Sequence, residues 1–277
     1  MITESKNTVT VPFLSTAADT IASLRRRFQK QLLRRSFSVT PAPGLERLGT
    51  TYGGWVVPTQ LLHPGAVCVC AGAGEDVSFD VELAERFGCR VIVLDPTPRA
   101  IQHVRSLFDA TRRGDSMMIN HRKGQIYHLT EEGMRHLQFE ESGLWDQNET
   151  LRFFAPKDRE HVSHSALNLQ GTEDSFEAPV LTLKSIQEEF EVNSLTVLKL
   201  DIEGAEYRVL DSLERDGLRP KVICVEFDEG HQPLDESFGE RITEAVQKLE
   251  NRQYRLVHND CWDFTFVDEL VLNVLHS

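Results

Sequence analysis

The sequence of 277 residues lacks a run of about 18 consecutive apolar residues, the length that crosses a bilayer. Its first residues lack the basic and then apolar layout of a secretory signal. The five cysteines are odd in number and irregularly spaced, which favours neither a disulfide framework nor a paired-cysteine metal or redox site. We therefore expect a cytoplasmic protein whose cysteines, mostly found in apolar runs, are core residues.

Basic residues are scarce as well. Lys and Arg number 30 against 43 Asp and Glu, so the formal net charge is −13. Residues 1–40 nevertheless have a net charge of +5, which leaves −18 for the remainder. Because an acidic surface repels polyphosphates, we expect no nucleic-acid partner and a small-molecule substrate.

The basic N-terminal part has its own pattern. Over residues 16–37 apolar residues recur at helical spacing with arginines between them, which predicts a basic amphipathic helix. Packing over the acidic body is the favoured interpretation. A homodimer contact and a membrane-surface helix are alternatives, and membrane association is the weakest of the three. We divide the chain into an N-terminal tail and helix, residues 1–45, and a main domain, residues 46–277.

The main domain alternates strand and helix patterns. Buried strands are predicted from β-branched, apolar runs at residues 66–70, 91–94, 195–200 and 222–227. Helical spacing follows most of these runs, and weaker strand patterns lie at residues 126–129 and 136–139. This alternation predicts an α/β fold with a doubly wound, mainly parallel sheet.

A glycine turn, residues 72–76, follows the first of these strands. The order strand, glycine turn, helix, strand and then Asp95 is that of a nucleotide-binding βαβ unit, in which Asp95 could accept hydrogen bonds from ribose hydroxyls. Gly72 and Gly74 lack the third glycine of dinucleotide-binding turns, and Glu75 and Asp76 would repel a phosphate at the helix start. A cationic ligand such as S-adenosylmethionine fits better, and the alternative is an NAD-type dinucleotide-binding oxidoreductase or a non-catalytic nucleotide-binding protein.

A second motif, the acid turn of residues 201–206, reads Asp-Ile-Glu-Gly-Ala-Glu. It joins a buried strand to a helix, and open α/β sheets bind ligands at the carboxyl ends of their strands. Asp201 and Glu203 are therefore candidate site residues. Glu206 falls in the first helical turn, where a structural capping role is favoured.

Together with Asp95-Pro96-Thr97-Pro98, the two motifs resemble the FkbM-type S-adenosylmethionine-dependent methyltransferases over about residues 50–270. The acid turn is the specific part of the resemblance, whereas the glycine turn departs from the Asn-x-Gly of many members. The resemblance implies a Rossmann-like sheet of the class I methyltransferase type. It also implies methyl transfer, commonly to a hydroxyl of a sugar or natural product.

The resemblance also implies positions for the methyl donor. The glycine turn would line its methionine end, Asp95 its ribose, and residues 143–145 its adenine, although core packing is an equal interpretation of Trp145. The predicted cofactor-binding residues are Gly72, Gly74, Glu75, Asp76, Asp95, Pro96, Thr97, Gly143, Leu144, Trp145 and Asp201.

Transfer to an alcohol also requires a group that takes the hydroxyl proton. We expect Glu203 on the acceptor side, His164 as an imidazole base in a polar loop, and Asp201 towards the cofactor. Exposed surface positions are the alternative for the loop histidines. The predicted substrate-binding residues are Tyr52, Trp55, His161, Ser165 and Glu226. Carboxylates could support Mg²⁺, but no spacing requires it, and no metal site is predicted.

Overall fold

The computed structural model describes residues 31, 33, 36–120, 124–154, 174–231 and 233–277. The chain divides into two compact units, Met1–Phe37 and Ser38–Ser277. Because almost all of the first unit lies outside the described residues, the N-terminal amphipathic helix and the predicted domain limits stay predictions. Within the described part, no helix is both long and apolar enough to cross a membrane.

Twelve strands lie in the described part of the chain. They are β1 (Leu45–Leu48), β2 (Trp55–Pro58), β3 (Val67–Ala71), β4 (Arg90–Leu94), β5 (Leu137–Glu140), β6 (Gly143–Trp145), β7 (Glu149–Phe154), β8 (Ser175–Thr182), β9 (Val197–Leu200), β10 (Val222–Glu226), β11 (Tyr254–Asp260) and β12 (Asp263–Asp268).

Helices connect most of these strands. They are α1 (Ser78–Phe87), α2 (Pro98–Arg113), α3 (Glu131–Met134), α4 (Leu183–Glu189), α5 (Glu206–Arg215), α6 (Phe238–Asn251) and α7 (Glu269–Leu275). Short 3-10 turns occupy Thr59–Leu61 and Asp228–Gly230.

The central sheet has seven strands in the order β11-β12-β10-β9-β3-β4-β5. Strands β10, β9, β3, β4 and β5 run parallel, and β12 is inserted antiparallel between β10 and β11. From β3 the chain proceeds to β4 and β5 on one side, and later to β9 and β10 on the other. The strand order therefore reverses between β3 and β9, which is where such sheets bind ligands. The predicted α/β fold with a mainly parallel sheet is confirmed.

Residues of the central strands are apolar almost without interruption, because helices and loops cover a parallel sheet. All four residues of β9 are buried, as are four of the five residues in each of β3 and β4. Lys199 is the exception in β9, a charged residue that is only 4% exposed. Such a lysine requires partners inside the protein.

Two smaller sheets flank the carboxyl edge of the central sheet. The hairpin of β1 and β2 is joined to β12 by a hydrogen bond of 2.7 Å from the Thr265 hydroxyl to the Val56 carbonyl. Strands β6, β8 and β7 form a three-stranded sheet whose apolar cluster includes Trp145, Phe153 and Val180. These two sheets supply walls to the site described below.

Two predictions about local structure were wrong. Residues 126–129 form no strand and contribute only an isolated bridge between Met118 and Ile126. The apolar pattern there reflects Tyr127, whose buried hydroxyl accepts a hydrogen bond from the Val77 backbone N–H at 3.1 Å. Four cysteines are buried as expected, but Cys261 is exposed in the turn between β11 and β12, with φ of 60°.

Candidate functional site

A cavity of about 530 Å³ opens at the carboxyl ends of β3, β4, β9 and β10. The structure brings to this one cavity every predicted site residue that it describes: Tyr52, Trp55, Gly72, Gly74, Glu75, Asp76, Asp95, Pro96, Thr97, Gly143, Leu144, Trp145, Asp201, Glu203 and Glu226. His161, His164 and Ser165 lie outside the described residues. Their placement and the chemical roles of the whole set stay predictions.

The glycine turn is held tightly against β9 and β4. Gly72 has φ of 88°, and a Cβ there would overlap the Asp201 carbonyl oxygen and lie 2.8 Å from its carbon. Its N–H donates to the Leu94 carbonyl at 2.9 Å, and its own carbonyl accepts from Lys199 Nζ. Only glycine combines this conformation with this close approach.

Asp95, which follows β4, holds the glycine turn by hydrogen bonds. Its Oδ2 accepts from the N–H groups of Ala73 and Gly74 at 2.9 and 3.0 Å. Its Oδ1 accepts from the backbone N–H and the hydroxyl of Thr97 at 2.8 and 2.6 Å. A carboxylate has about four acceptor sites, so all of them are engaged within the chain. To bind ribose hydroxyls, as predicted, Asp95 would have to exchange one of these bonds.

The two acids at the end of the glycine turn also have partners. Asp76 Oδ1 accepts from the Ser78 N–H at 3.0 Å, and its Oδ2 accepts from the Thr50 hydroxyl at 2.6 Å. Glu75 forms a 2.6 Å ion pair with Arg99. Asp76 thereby joins the β1–β2 hairpin to the start of α1 at the cavity wall.

The acid turn is held by Glu206, whose carboxylate accepts from the N–H groups of Ile202 and Gly204 at 3.0 to 3.1 Å. Burial raises the pKa of Glu206 to about 8, although these hydrogen bonds favour its ionised form. Glu206 therefore has a structural role, but not the predicted capping role, because it holds the preceding turn while the first turn of α5 has no side-chain cap. Glu203, which lines the cavity, adopts the left-handed φ of 55°, a conformation that costs energy in a residue other than glycine.

The wall formed by β10 and β12 is acidic. Glu226, the last residue of β10, pairs in register with Asp263 of β12. Burial, followed by the charges of Asp201 and Asp263, holds the pKa of Glu226 well above its usual range. Burial and the Asp201 charge likewise raise the pKa of Asp263 to about 7. His231 Nε2 lies 3.1 Å from Glu226 Oε1. At neutral pH this wall therefore retains protons on carboxyl groups.

The remaining wall is apolar and comes from β6. Trp145 is 7% exposed and packs with Phe153 and Val180, while the Arg208 guanidinium lies 5.2 Å from its ring centroid. A Cβ on Gly143 would lie 3.0 Å from a Val180 methyl group, so glycine keeps this wall close to β8. Trp145 thus packs in the core, as one interpretation expected, and also lines the cavity, while its contact with adenine stays a prediction.

Comparison with known proteins decides the family. The family model described as the methyltransferase FkbM domain matches residues 71–256, well over half of the chain. The chain belongs to the FkbM methyltransferase family. The matched region contains the glycine turn, Asp95, β6 and the acid turn, which are the main walls of the cavity.

Other comparisons are more distant. No curated protein matches this FkbM-family chain. Among solved structures, a precorrin-6y C5,15-methyltransferase from Geobacter metallireducens GS-15 is similar, with 14% sequence identity and a TM-score of 0.36. The similarity covers 70% of this chain and 66% of that one, slightly less than two thirds of its length.

Several residues of the FkbM-family site were not predicted from the sequence. Lys199 falls within the strand predicted at residues 195–200 and was not marked as a site residue, although a lysine within a buried strand is itself a signal. Thr50, Asp263 and His231 line or support the cavity from distant parts of the chain, and no local pattern marks them. Within the described part of the chain, no group of three or more His, Cys, Asp or Glu residues is arranged to hold a metal ion.

Proposed function

We propose that the protein transfers a methyl group from S-adenosylmethionine to a hydroxyl of a sugar or natural-product-type small molecule. The observation that supports this most strongly is the single cavity at the strand-order reversal. It unites the glycine turn, Asp95 and the acid turn within the domain that matches the FkbM family.

The walls of the cavity fit this methyl donor. Gly74 has φ of 53°, and apart from its own atoms and its two chain neighbours no heavy atom of the described residues lies within 4 Å of an ideal Cβ there, so its backbone is open to close approach. The glycine turn would hold the methionine end, residues 95–97 the ribose, and the flat apolar face of Leu144 and Trp145 the adenine. When bound, S-adenosylmethionine supplies an electrophilic methyl group.

The charge of the cavity supports the same donor. Its described lining includes nine Asp and Glu residues, seven of them besides Glu226 and Asp263 with their raised pKa values, and Lys199 is the one lysine among the described lining residues. Negative potential favours a sulfonium and an amino group, and it opposes a pyrophosphate. The same potential supports a small-molecule acceptor rather than nucleic acid as the partner.

On the acceptor side, we propose that the Glu203 carboxylate takes the proton of the acceptor hydroxyl. Glu226, protonated at neutral pH because its pKa is raised, is suited to donate a hydrogen bond to an acceptor oxygen. The Asp201 carboxylate lies 3.5 Å from Lys199 Nζ and is held beside the glycine turn. Tyr52 and Trp55 would contact the acceptor from the β1–β2 hairpin.

A transfer assay tests the proposal. The full chain is incubated with S-adenosylmethionine bearing a tritiated methyl group and a panel of sugars, glycosides and natural-product alcohols, with amines as a matched set. We expect label on at least one hydroxyl compound and loss of transfer in Glu203→Gln. Label on amines alone would refute O-methylation. Binding of NADH without binding of S-adenosylhomocysteine would refute the donor assignment.

A further inference from the structure

Lys199 forms the most deeply buried charged contact with the glycine turn. It is 4% exposed, its Nζ donates to the Gly72 carbonyl, and the Asp201 carboxylate is 3.5 Å away. A buried ammonium loses its hydration and persists only where acceptors replace it. The Gly72 carbonyl is therefore a principal partner of this charge.

The same peptide unit is held at its other end. The carbonyl of Gly72 and the N–H of Ala73 belong to one peptide plane, and that N–H donates to Asp95 Oδ2 at 2.9 Å. Because the peptide is planar, fixing both groups fixes its orientation. Without these two contacts the peptide could rotate freely, because glycine at position 72 restricts the backbone less than any other residue type would.

The Lys199 ammonium also interacts with Asp80, a second acidic residue, which is buried. Burial acts to lower the pKa of Lys199, but the charges of Asp201 and Asp80 raise it above its usual value. Asp80 of α1 is only 2% exposed, and burial raises its pKa to about 6. Lys199 could therefore serve only to neutralise Asp80 in the core, and a test has to separate that role from an effect on the turn.

We propose that Lys199 is a positioning residue, which together with Asp95 clamps the Gly72–Ala73 peptide in the orientation that binds the methyl donor. The clamp joins β9 and β4 across β3, so the turn is ordered before any ligand arrives. Pre-ordering raises affinity because less conformational entropy is lost on binding. That the ligand is S-adenosylmethionine rests on the proposed function, whereas the clamp itself does not.

Three variants separate the two roles. Lys199→Met removes the clamp but leaves Asp80 buried without its counter-charge. Asp80→Asn with Lys199→Met removes both charges, and Asp80→Asn alone is the matched reference. If Lys199 only neutralises Asp80, the double variant should equal the reference in every property.

The measurements are urea unfolding, NMR amide exchange and calorimetric titration with S-adenosylhomocysteine. In the double variant we expect most of the stability lost in Lys199→Met to return. Relative to the reference, we expect Ala73 N–H exchange to be at least about tenfold faster and S-adenosylhomocysteine affinity about tenfold weaker, as for loss of one charge-assisted hydrogen bond. The Val69 amide of β3 is the control for global opening.

Equal Ala73 exchange and equal affinity in the double variant and the reference would overturn the proposal. If no Lys199 variant folds, the wild-type chain still decides: without ligand, the Ala73 amide should be protected at least about a hundredfold, and an unprotected amide would contradict the clamp. If the wild type binds no S-adenosylhomocysteine, the proposed donor is wrong, while the exchange data still test the clamp.

Discussion

The contact between the glycine turn and the acid turn can be tested with a pair of alanine substitutions. Gly72 and Gly74 both have positive φ, at 88° and 53°. A Cβ at residue 72 would overlap the Asp201 carbonyl oxygen, whereas a Cβ at residue 74 would meet no described heavy atom within 4 Å. Gly74→Ala is therefore a matched control that contains the backbone strain without the collision.

The expected losses in free energy of unfolding follow from the backbone strain and from the collision. A left-handed conformation costs an L-residue about 1–2 kcal/mol, which is the whole effect expected for Gly74→Ala. Gly72→Ala adds an overlap with backbone, and forcing atoms into a packed site costs a further ~1–3 kcal/mol. We therefore expect Gly72→Ala to lose about 2–5 kcal/mol, a large part of the 5–15 kcal/mol typical of a domain.

Urea unfolding, monitored by circular dichroism, gives the free energy of unfolding of each variant. We expect Gly72→Ala to be the less stable variant by about 1–3 kcal/mol, as the overlap requires. Since relief of the collision moves β9 away from β3, S-adenosylhomocysteine should also bind it more weakly than the control. Equal stabilities for the two variants would refute the close packing of Gly72 on Asp201.

Three further predictions concern single carboxyl groups. Because burial raises the folded pKa of Glu206 to about 8, its contribution to stability is present below its ordinary pKa and is lost as pH rises to about 8. Glu206→Gln should therefore flatten the urea-unfolding profile between about pH 5 and 8, and an unchanged slope would contradict this. Asp95→Asn replaces one acceptor oxygen by a donor, so calorimetry should show S-adenosylhomocysteine affinity reduced at least about tenfold. An unchanged affinity would mean that the hydrogen bonds of Asp95 are not needed to hold the glycine turn for binding. Glu203→Gln should retain that affinity within about threefold and lose transfer by about 10²-fold or more in the tritium assay, and full transfer would exclude Glu203 as the base.

Much of the fold could be predicted because its signals are local. The runs that became β3, β4, β9 and β10 are apolar and β-branched, and each is followed by a turn or an acid. Parallel strands place their carboxyl ends at one edge, so the position of the cavity followed from the strands alone. The glycine turn and the acid turn were found because their residues are contiguous in sequence.

The features of the fold and of the site that were not predicted depend on contacts between residues that are distant in sequence. The run at 126–129 resembled a strand, but its apolar character serves one buried side chain, Tyr127, and among the described residues it pairs only through the isolated bridge of Ile126 with Met118. Asp95 was expected to face a ligand, and its bonds to Ala73 and Gly74 become visible only when β4 lies beside β3. The register of β10 with β12, which sets Glu226 beside Asp263, is likewise absent from any local pattern.

The most direct test of the donor site is a calorimetric titration of the full wild-type chain with S-adenosylhomocysteine and, separately, with NADH. The glycine turn lacks a third glycine, and acidic side chains surround it, so we predict saturable heat with S-adenosylhomocysteine and none with NADH. Saturable heat with NADH and none with S-adenosylhomocysteine would contradict the account.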